Sequence, residues 1–328
     1  MTSRTRAGQL VAPGRMECVE VPVEPLRDGD VRVRTRYASI CGTDLHVVKY
    51  GVETDPSDWA PGYPGHEGVG QVVESRTDGF APGDVVLVVP PLGESRCYAE
   101  WQRVRASSTI RLDGPQAPLE QLLMAQQLGT VLFAAHRYPY DVTGRTVAVI
   151  GQGSAGMFWT WWCKRAGAAR VIVGDRSPTR LAASTGFGSD VRVDVRTDDL
   201  TEVVMDLTDG EGADFVVEAV GRREALLQSV RMCRPEGRLF WFGLPDTTEP
   251  VPIDFAQFLH RKLTAVTTYG AQGEPGLASF RRALEHVRRG DVDVRPLLSH
   301  VVPVEEIDRA FELADTCEDG VLKVSVAF

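Results

Sequence analysis

One short segment constrains the fold of this chain more than any other. The β-rich run Thr146–Ile150 leads directly into Gly151-Gln152-Gly153-Ser154-Ala155-Gly156, and a helix-length stretch follows. This is the G-x-G-x-x-G pattern between a strand and a helix. The first glycine permits a tight turn, the second lets a pyrophosphate approach the backbone, and the third lets the helix pack closely on the strand. The segment predicts a Rossmann dinucleotide-binding fold, with Gly151, Gly153, Ser154, Ala155 and Gly156 lining the phosphates at the helix N-terminus.

An acidic residue lies where such a fold binds the adenosine ribose. Asp175 follows Gly156 by 19 positions, at the end of the next predicted strand. A carboxylate there accepts hydrogen bonds from the ribose and repels a 2′-phosphate. Arg176 and Arg180 follow it, and they either pair with a phosphate or lie on a solvated loop and helix face. The pattern favours NAD over NADP as the cofactor.

Predicted strands and helices alternate through the middle of the chain. Buried-strand runs at 146–150, 170–174, 215–219, 238–243 and 263–268 are separated by helix-length segments, which is typical of a doubly wound parallel sheet. The first third has short β-rich runs between Gly, Pro and Asp residues, and a helix at 279–289 and a strand at 321–326 follow near the end. We therefore predict an α/β protein with a Rossmann domain at 127–268 and a β-rich catalytic domain formed by 1–126 and 269–328.

Charge and composition exclude several classes of function. A net charge of −9 over 328 residues argues against a general nucleic-acid binder, because such proteins present a basic face to the phosphate backbone. No apolar run is long enough for a membrane span or a secretory signal, so we expect a cytoplasmic protein without a membrane partner. The six cysteines show no pairing pattern, and reduced thiols are expected.

A second group of residues offers ligands suited to a metal ion. Thiolate and imidazole are ligands that zinc prefers, and a catalytic zinc needs only three protein ligands and one open position. Cys41, His66 and Glu67 could supply them. An open-site Zn²⁺ would act as a Lewis acid on an alcohol or carbonyl oxygen. Taken alone, however, a cysteine and a distant histidine are more often core residues than ligands.

The surrounding motifs resemble those of a known family. Cys41-Gly42-Thr43-Asp44-Leu45-His46 and Gly65-His66-Glu67-Gly68-Val69-Gly70 are similar to motifs of the zinc-containing medium-chain alcohol dehydrogenases, especially their polyol, sugar and threonine dehydrogenase branch. The likeness continues through 82–86, the glycine fingerprint, 213–221, 298–300 and 310–312. It implies a GroES-like catalytic domain, one catalytic Zn²⁺ and hydride transfer between NAD and a small secondary alcohol or ketone. It also implies a homodimer or homotetramer, with strand 239–243 or its neighbour near an edge.

The resemblance assigns roles at the metal. Cys41 and His66 fall at the catalytic zinc ligands, and Glu67 falls at a glutamate that coordinates the ion or lies close behind its ligands. Asp44 falls at the carboxylate that orients the ligand histidine through its other ring nitrogen.

The resemblance also assigns a proton path. Thr43 falls at a hydroxyl that bonds the reacting oxygen, and His46 falls at the end of a relay through that hydroxyl and the ribose. Lys323, on the terminal strand, would either approach the pyrophosphate or lie exposed to solvent.

Two segments depart from the family pattern. The usual member carries four closely spaced cysteines that bind a structural zinc, whereas residues 86–100 of this chain contain one cysteine, Cys97. We therefore predict that no structural zinc is bound and that the Cys97 thiol is packed in the core. Where some relatives have a further zinc ligand, this chain has Gln126, which is a poor one. We expect Gln126 on a helix surface, or alternatively bonded to a substrate hydroxyl or a zinc-bound water.

Three functions are therefore open. The first is a zinc-dependent dehydrogenase acting on a polyol, sugar or cyclitol. The second is a zinc-free quinone or enone reductase on the same scaffold, which the missing cysteines favour. The third is a paralogue that binds NAD and catalyses nothing, which only the uncertain further ligand favours.

Overall fold

The computed structural model describes residues 4–50, 59–113, 117–247, 249–316 and 320–328. The chain divides into two units: residues up to Thr130 together with Gly270–Phe328, and the intervening Val131–Tyr269. The first boundary falls inside a helix that spans Leu119–Arg137.

Short strands fill the first third of the chain, and strands and helices alternate through the middle. The described strands are β1 (Arg4–Ala12), β2 (Arg15–Pro22), β3 (Asp30–Ser39), β4 (Gly68–Ser75), β5 (Val85–Val88), β6 (Trp101–Arg105), β7 (Thr109–Arg111), β8 (Thr146–Ile150), β9 (Arg170–Asp175), β10 (Val191–Asp194), β11 (Ala213–Glu218), β12 (Cys233–Trp241), β13 (Thr264–Thr267), β14 (Leu298–Pro303) and β15 (Lys323–Ala327). The described α-helices are α1 (Gly42–Tyr50), α2 (Leu119–Arg137), α3 (Ser154–Arg165), α4 (Pro178–Ser184), α5 (Leu200–Asp206), α6 (Arg223–Met232), α7 (Phe255–His260), α8 (Ala278–Arg289) and α9 (Ile307–Thr316).

The first unit is built on a seven-stranded sheet. Its strand order is β14-β15-β3-β4-β5-β7, with β6 also paired to β3, and β1 and β2 form a separate hairpin. Each of these strand pairs is antiparallel except β14 with β15. Alternating apolar residues such as Val31 and Val33 face a core that Phe311 of α9 also enters. Because β15 and β4 both flank β3, the end of β3 and the starts of β4 and β15 meet at one edge.

The second unit is a parallel six-stranded sheet. Its order is β10-β9-β8-β11-β12-β13, and every pair is parallel. Val147, Ala148 and Val149 of β8 are all fully buried, which is expected where helices cover both faces of a parallel sheet. The chain order reverses between β8 and β11, so a ligand crevice is expected at the carboxyl ends of these two strands. The predicted α/β class with a doubly wound sheet is confirmed.

Individual elements agree with most of the predictions. The five predicted Rossmann strands, the helix at 279–289 and the terminal strand are present, although β12 begins earlier than predicted, at Cys233. The edge strand β10 was not predicted, because Val193 is its only fully buried residue. Of the two strands expected near an edge, β12 is flanked on both sides, and its neighbour β13 is the edge strand. Among the described residues, none of the helices combines the length and apolar character needed to cross a bilayer.

Candidate metal centre and dinucleotide loop

Two strand ends of the first unit bring the predicted metal ligands together. Cys41 follows the end of β3, and His66 and Glu67 immediately precede β4. The ligand atoms of these three residues lie within 4.8 Å of one another. His66 and Glu67 are buried, whereas Cys41 is partly exposed. Within the described ranges, no other group of three or more His, Cys, Asp or Glu side chains has metal-binding separations.

Asp44 fixes the orientation of the His66 ring. It is fully buried in the first turn of α1, and its Oδ1 lies 2.8 Å from His66 Nδ1. Its Oδ2 accepts hydrogen bonds from the Cys41 backbone N–H (2.9 Å) and the Tyr98 hydroxyl (2.7 Å). Because Nδ1 faces Asp44, Nε2 is the nitrogen left for a ligand. Burial opposes protonation of His66, but the charges and hydrogen bonds of Asp44 and Cys41 outweigh burial and hold the pKa of His66 well above its ordinary value.

Glu67 is paired with a buried lysine. Lys323 Nζ lies 2.8 Å from Glu67 Oε2, and the Ser39 hydroxyl donates to the same oxygen. Lys323 also donates to Gln127 Oε1 at 3.4 Å. Burial raises the pKa of Glu67, but Lys323, His66 and Ser39 together lower it by a larger amount. The pKa of Glu67 therefore lies below its ordinary value. Of the two alternatives predicted for Lys323, exposure to solvent is wrong, because only 3% of the residue is exposed, and an approach to the pyrophosphate stays a prediction.

Gln126 supports the backbone of the ligand segment. Its side chain is buried on α2, and its Nε2 donates to the His66 carbonyl oxygen at 3.1 Å. The prediction of a helix-surface amide is therefore wrong. The sequence carried no signal for this contact, because the helix periodicity of α2 does not say which neighbour its buried polar residues meet.

The two residues predicted for proton transfer lie on α1. Thr43 and His46 are both partly exposed, and the His46 ring lies 5.1 Å from the Tyr50 ring. Their position directly after Cys41 places them on the same short helix as Asp44. Their roles stay predictions.

Cys97 is a packed thiol, as predicted. It is fully buried, and a Cβ added to Gly68 would lie 2.8 Å from its Sγ. Burial raises the pKa of Cys97 to about 12. A neutral thiol in close packing is not disposed to bind a metal.

The donor set at the strand ends fits a divalent cation. With His66 as a neutral imidazole, the form that binds a metal, a thiolate at Cys41 and the carboxylates of Glu67 and Asp44 would give three negative charges, and Lys323 would supply one positive charge. Two net negative charges therefore remain among groups that are mostly withdrawn from water, and a divalent cation compensates them. One sulfur, one imidazole nitrogen and one carboxylate oxygen also match the ligand types of catalytic zinc sites.

The glycine loop has the backbone that its motif requires. Gly151 has φ +88° and donates its N–H to Gly174 O at 2.8 Å. A Cβ on Gly156 would lie 1.9 Å from Gly151 O, so α3 packs on β8 only with glycine there. A Cβ on Gly153 would meet no protein atom within 4 Å. The protein's own packing therefore requires Gly151 and Gly156, whereas Gly153 keeps room at the α3 N-terminus, beside Ser154 and Ala155, for a pyrophosphate.

Asp175 joins the glycine loop to the end of β9. Its Oδ2 accepts from the Gln152 N–H at 2.6 Å, and its Oδ1 accepts from the Ser177 N–H at 2.8 Å. A carboxylate has further lone pairs, so both oxygens can still accept from ribose hydroxyls. Arg176 is exposed, and Arg180 is partly exposed in the first turns of α4.

Two family models match the chain in the order of its motifs. The alcohol dehydrogenase GroES-like domain matches residues 27–115, and the zinc-binding dehydrogenase domain matches residues 155–289. Together the two matches take in more than half of the 328 residues. The chain belongs to the zinc-containing medium-chain dehydrogenase family.

Relatives match this dehydrogenase along nearly its whole length. An alcohol dehydrogenase of Cupriavidus necator is 28% identical, with 99% of each chain covered. An L-threonine 3-dehydrogenase of Bacillus subtilis is 29% identical, with 92% of each covered. Among solved structures, the alcohol dehydrogenase TADH from Thermus sp. ATN1 is 26% identical with a TM-score of 0.81, covering 98% of this chain and 99% of that one.

Proposed function

We propose that this chain is a zinc- and NAD-dependent dehydrogenase that oxidises a secondary alcohol of a polyol, sugar or cyclitol, or reduces the corresponding ketone. The observation that carries the proposal is the Cys41, His66 and Glu67 ligand set, with Asp44 behind His66, in a chain that also has a complete dinucleotide loop. Cys41, His66 and Glu67 would hold the ion. When bound, Zn²⁺ supplies Lewis-acid polarisation of the substrate oxygen.

Side chains of this protein would orient the ligand histidine and transfer the substrate proton. Asp44 holds the His66 ring so that Nε2 is available to the ion. The Thr43 hydroxyl bonds the substrate oxygen and passes its proton towards His46, which is partly exposed and can deliver it to solvent. Bound NAD would supply the hydride acceptor, so that each alcohol oxidised would lose one hydride to the cofactor and one proton along this path.

The cofactor preference follows from Asp175. With NAD, its carboxylate would accept hydrogen bonds from the adenosine ribose while it keeps its two backbone partners. With NADP, the same carboxylate would face a phosphate of like charge. We propose NAD as the cofactor, and a ratio of kcat/KM for NAD over NADP below one would contradict this.

The oligomer is proposed to be a homodimer formed through the β13 edge. Large apolar side chains lie exposed next to this strand: Phe255 and Leu259, one turn apart on α7, are 70% and 59% exposed, and Tyr269, just after β13, is 72% exposed. An unpaired edge beside such residues favours self-association. Light scattering of wild type and Phe255→Glu tests this, because a dimer in both proteins would place the interface elsewhere.

The decisive experiment compares metal content with turnover. Wild type, Cys41→Ala and the control Cys97→Ala are washed with chelator and assayed by elemental analysis, and each is tested with NAD and a panel of polyols and cyclitols. We expect about one zinc per chain in wild type and in Cys97→Ala, none in Cys41→Ala, and turnover only where zinc is present.

Other outcomes identify the competing functions. A wild type without zinc that reduces quinones or enones would establish the zinc-free reductase. NAD binding without hydride transfer to any substrate would establish the non-catalytic paralogue.

A further inference from the structure

A buried glutamate lies at the crevice expected in the second unit. Glu218 ends β11, and its register partner on β8 is Ile150, the residue immediately before the glycine loop. Only 1% of Glu218 is exposed. Its place at the reversal of strand order puts it where doubly wound sheets bind their ligands.

The Glu218 side chain shapes the turn that follows β11. Its Oε1 accepts from the backbone N–H groups of Val220 (2.7 Å) and Gly221 (2.8 Å). Its Oε2 lies beside Gly243, where an added Cβ would come within 2.8 Å of it, and the Gly243 N–H acts on the carboxyl group together with the other two N–H groups. Burial raises the pKa of Glu218, against the opposite effect of the surrounding N–H groups. An acidic side chain is rarely buried unless it is paired, so the backbone N–H groups of this turn are the partners that hold the Glu218 carboxyl group in place.

The turn that Glu218 holds contacts the glycine loop. A Cβ on Gly151 would lie 2.5 Å from Val220 Cγ2, so the two loops touch. Gly221 is equally constrained, because its Cβ would lie 1.8 Å from Leu244 O. Val220 nevertheless remains 41% exposed, which leaves an apolar surface facing away from the protein beside Gly151.

The position of Asp175 decides which half of a dinucleotide would meet that surface. Asp175 marks the adenosine side, at the end of β9, and the pyrophosphate lies at the α3 N-terminus after β8. A dinucleotide that crosses the reversal therefore places its nicotinamide half over the end of β11. We infer that Glu218 is a positioning residue that holds the Val220–Gly221 turn against the nicotinamide half of the cofactor. This inference rests on the NAD dependence proposed above.

The test compares a dinucleotide with its adenosine half. Dissociation constants of NADH and AMP are measured for the full chain by fluorescence and calorimetry, in wild type, Glu218→Ala and Glu218→Gln. For Glu218→Ala, we expect NADH binding to weaken about tenfold, equivalent to about 1.4 kcal/mol, with AMP binding within about twofold. Glu218→Gln keeps an oxygen that can accept both N–H bonds, so NADH binding should stay within about threefold of wild type.

Two further variants separate positioning from general stability. Asp214 lies at the other end of β11, where its carboxylate accepts from the Thr146 N–H at 2.9 Å. Asp214→Ala should lower the melting temperature without changing the ratio of the two dissociation constants. If Glu218→Ala does not fold, Glu218→Asp, whose carboxyl group is withdrawn by one methylene, should show the same selective loss for NADH.

Two results would overturn the inference: unchanged NADH binding in Glu218→Ala or Glu218→Asp, or an equal loss for NADH and AMP. Absence of alcohol turnover in wild type is a different result, because it would refute the proposed dehydrogenase while the NADH and AMP measurements still decide the role of Glu218.

Discussion

Replacing Asp44 by asparagine is expected to weaken zinc binding without emptying the site. The carboxylate contacts His66 Nδ1, the Cys41 N–H and the Tyr98 hydroxyl at 2.7–2.9 Å, so it aligns two of the three predicted ligands. Asparagine keeps the volume but has one acceptor oxygen and no charge. Loss of such a support to a ligand histidine costs about 10- to 100-fold in metal affinity, or about 1.4–2.7 kcal/mol.

The assay is competition for zinc with a chromophoric chelator, and Tyr98→Phe is the matched control. That variant removes one hydrogen bond to Asp44 but keeps the carboxylate and the ring contact with Phe311, whose centroid is 5.5 Å away. We expect zinc affinity in Tyr98→Phe to fall by less than about threefold, since the carboxylate that contacts both His66 and Cys41 is retained. Equal zinc affinity in wild type and Asp44→Asn, with both folded by circular dichroism, would refute the role of Asp44.

Three further predictions follow from packing and burial. Lys323→Met leaves the buried Glu67 carboxylate without its ion-pair partner and should lower the free energy of unfolding, measured by chemical denaturation, by about 3–5 kcal/mol. An unchanged denaturation midpoint would show that the ion pair does not contribute to stability. Gly156→Ala should lower the melting temperature, because its Cβ would lie 1.9 Å from a backbone oxygen. Gly153→Ala should leave the melting temperature unchanged and weaken NADH binding. Equal melting temperatures of the two variants would contradict this. Iodoacetamide should modify Cys41 rapidly and zinc should protect it, while Cys97, with its pKa raised to about 12, stays unmodified in the native protein, which peptide mass analysis can check.

The sequence predicted those parts of the fold in which burial is uniform. Val147, Ala148 and Val149 form a continuous apolar run because both faces of β8 are covered, and such runs are recognisable without a structure. In β10, Arg192 is exposed and Val193 alone is fully buried, so neither a continuous nor an alternating pattern is present. An edge strand this short depends on its neighbour β9 for its conformation, and a local pattern carries little of that information.

Some residues of the candidate site could be predicted from the sequence, and others could not. Cys41 and Asp44 lie three positions apart, and His66 and Glu67 are adjacent, so both motifs can be recognised as short segments of sequence. Gln126 and Lys323 reach the site only through the tertiary fold: Gln126 lies 60 positions from His66, and Lys323 lies 196 positions from Gln127. Nothing in their own neighbourhoods distinguishes them from surface residues, since Gln and Lys are usually exposed.

Lys323 also bears on how Glu67 can bind a metal. The motif alone permits direct coordination through two oxygens, through one, or a supporting position behind the ligands. Because the Lys323 ammonium group and the Ser39 hydroxyl both bind Oε2, coordination through both oxygens would require the buried ion pair to break. Breaking it would leave an unpaired ammonium group away from water, at a cost of several kcal/mol. We therefore expect Glu67 to offer the ion at most one oxygen, and a three-ligand site of one sulfur, one nitrogen and one oxygen would keep the fourth position open for the substrate.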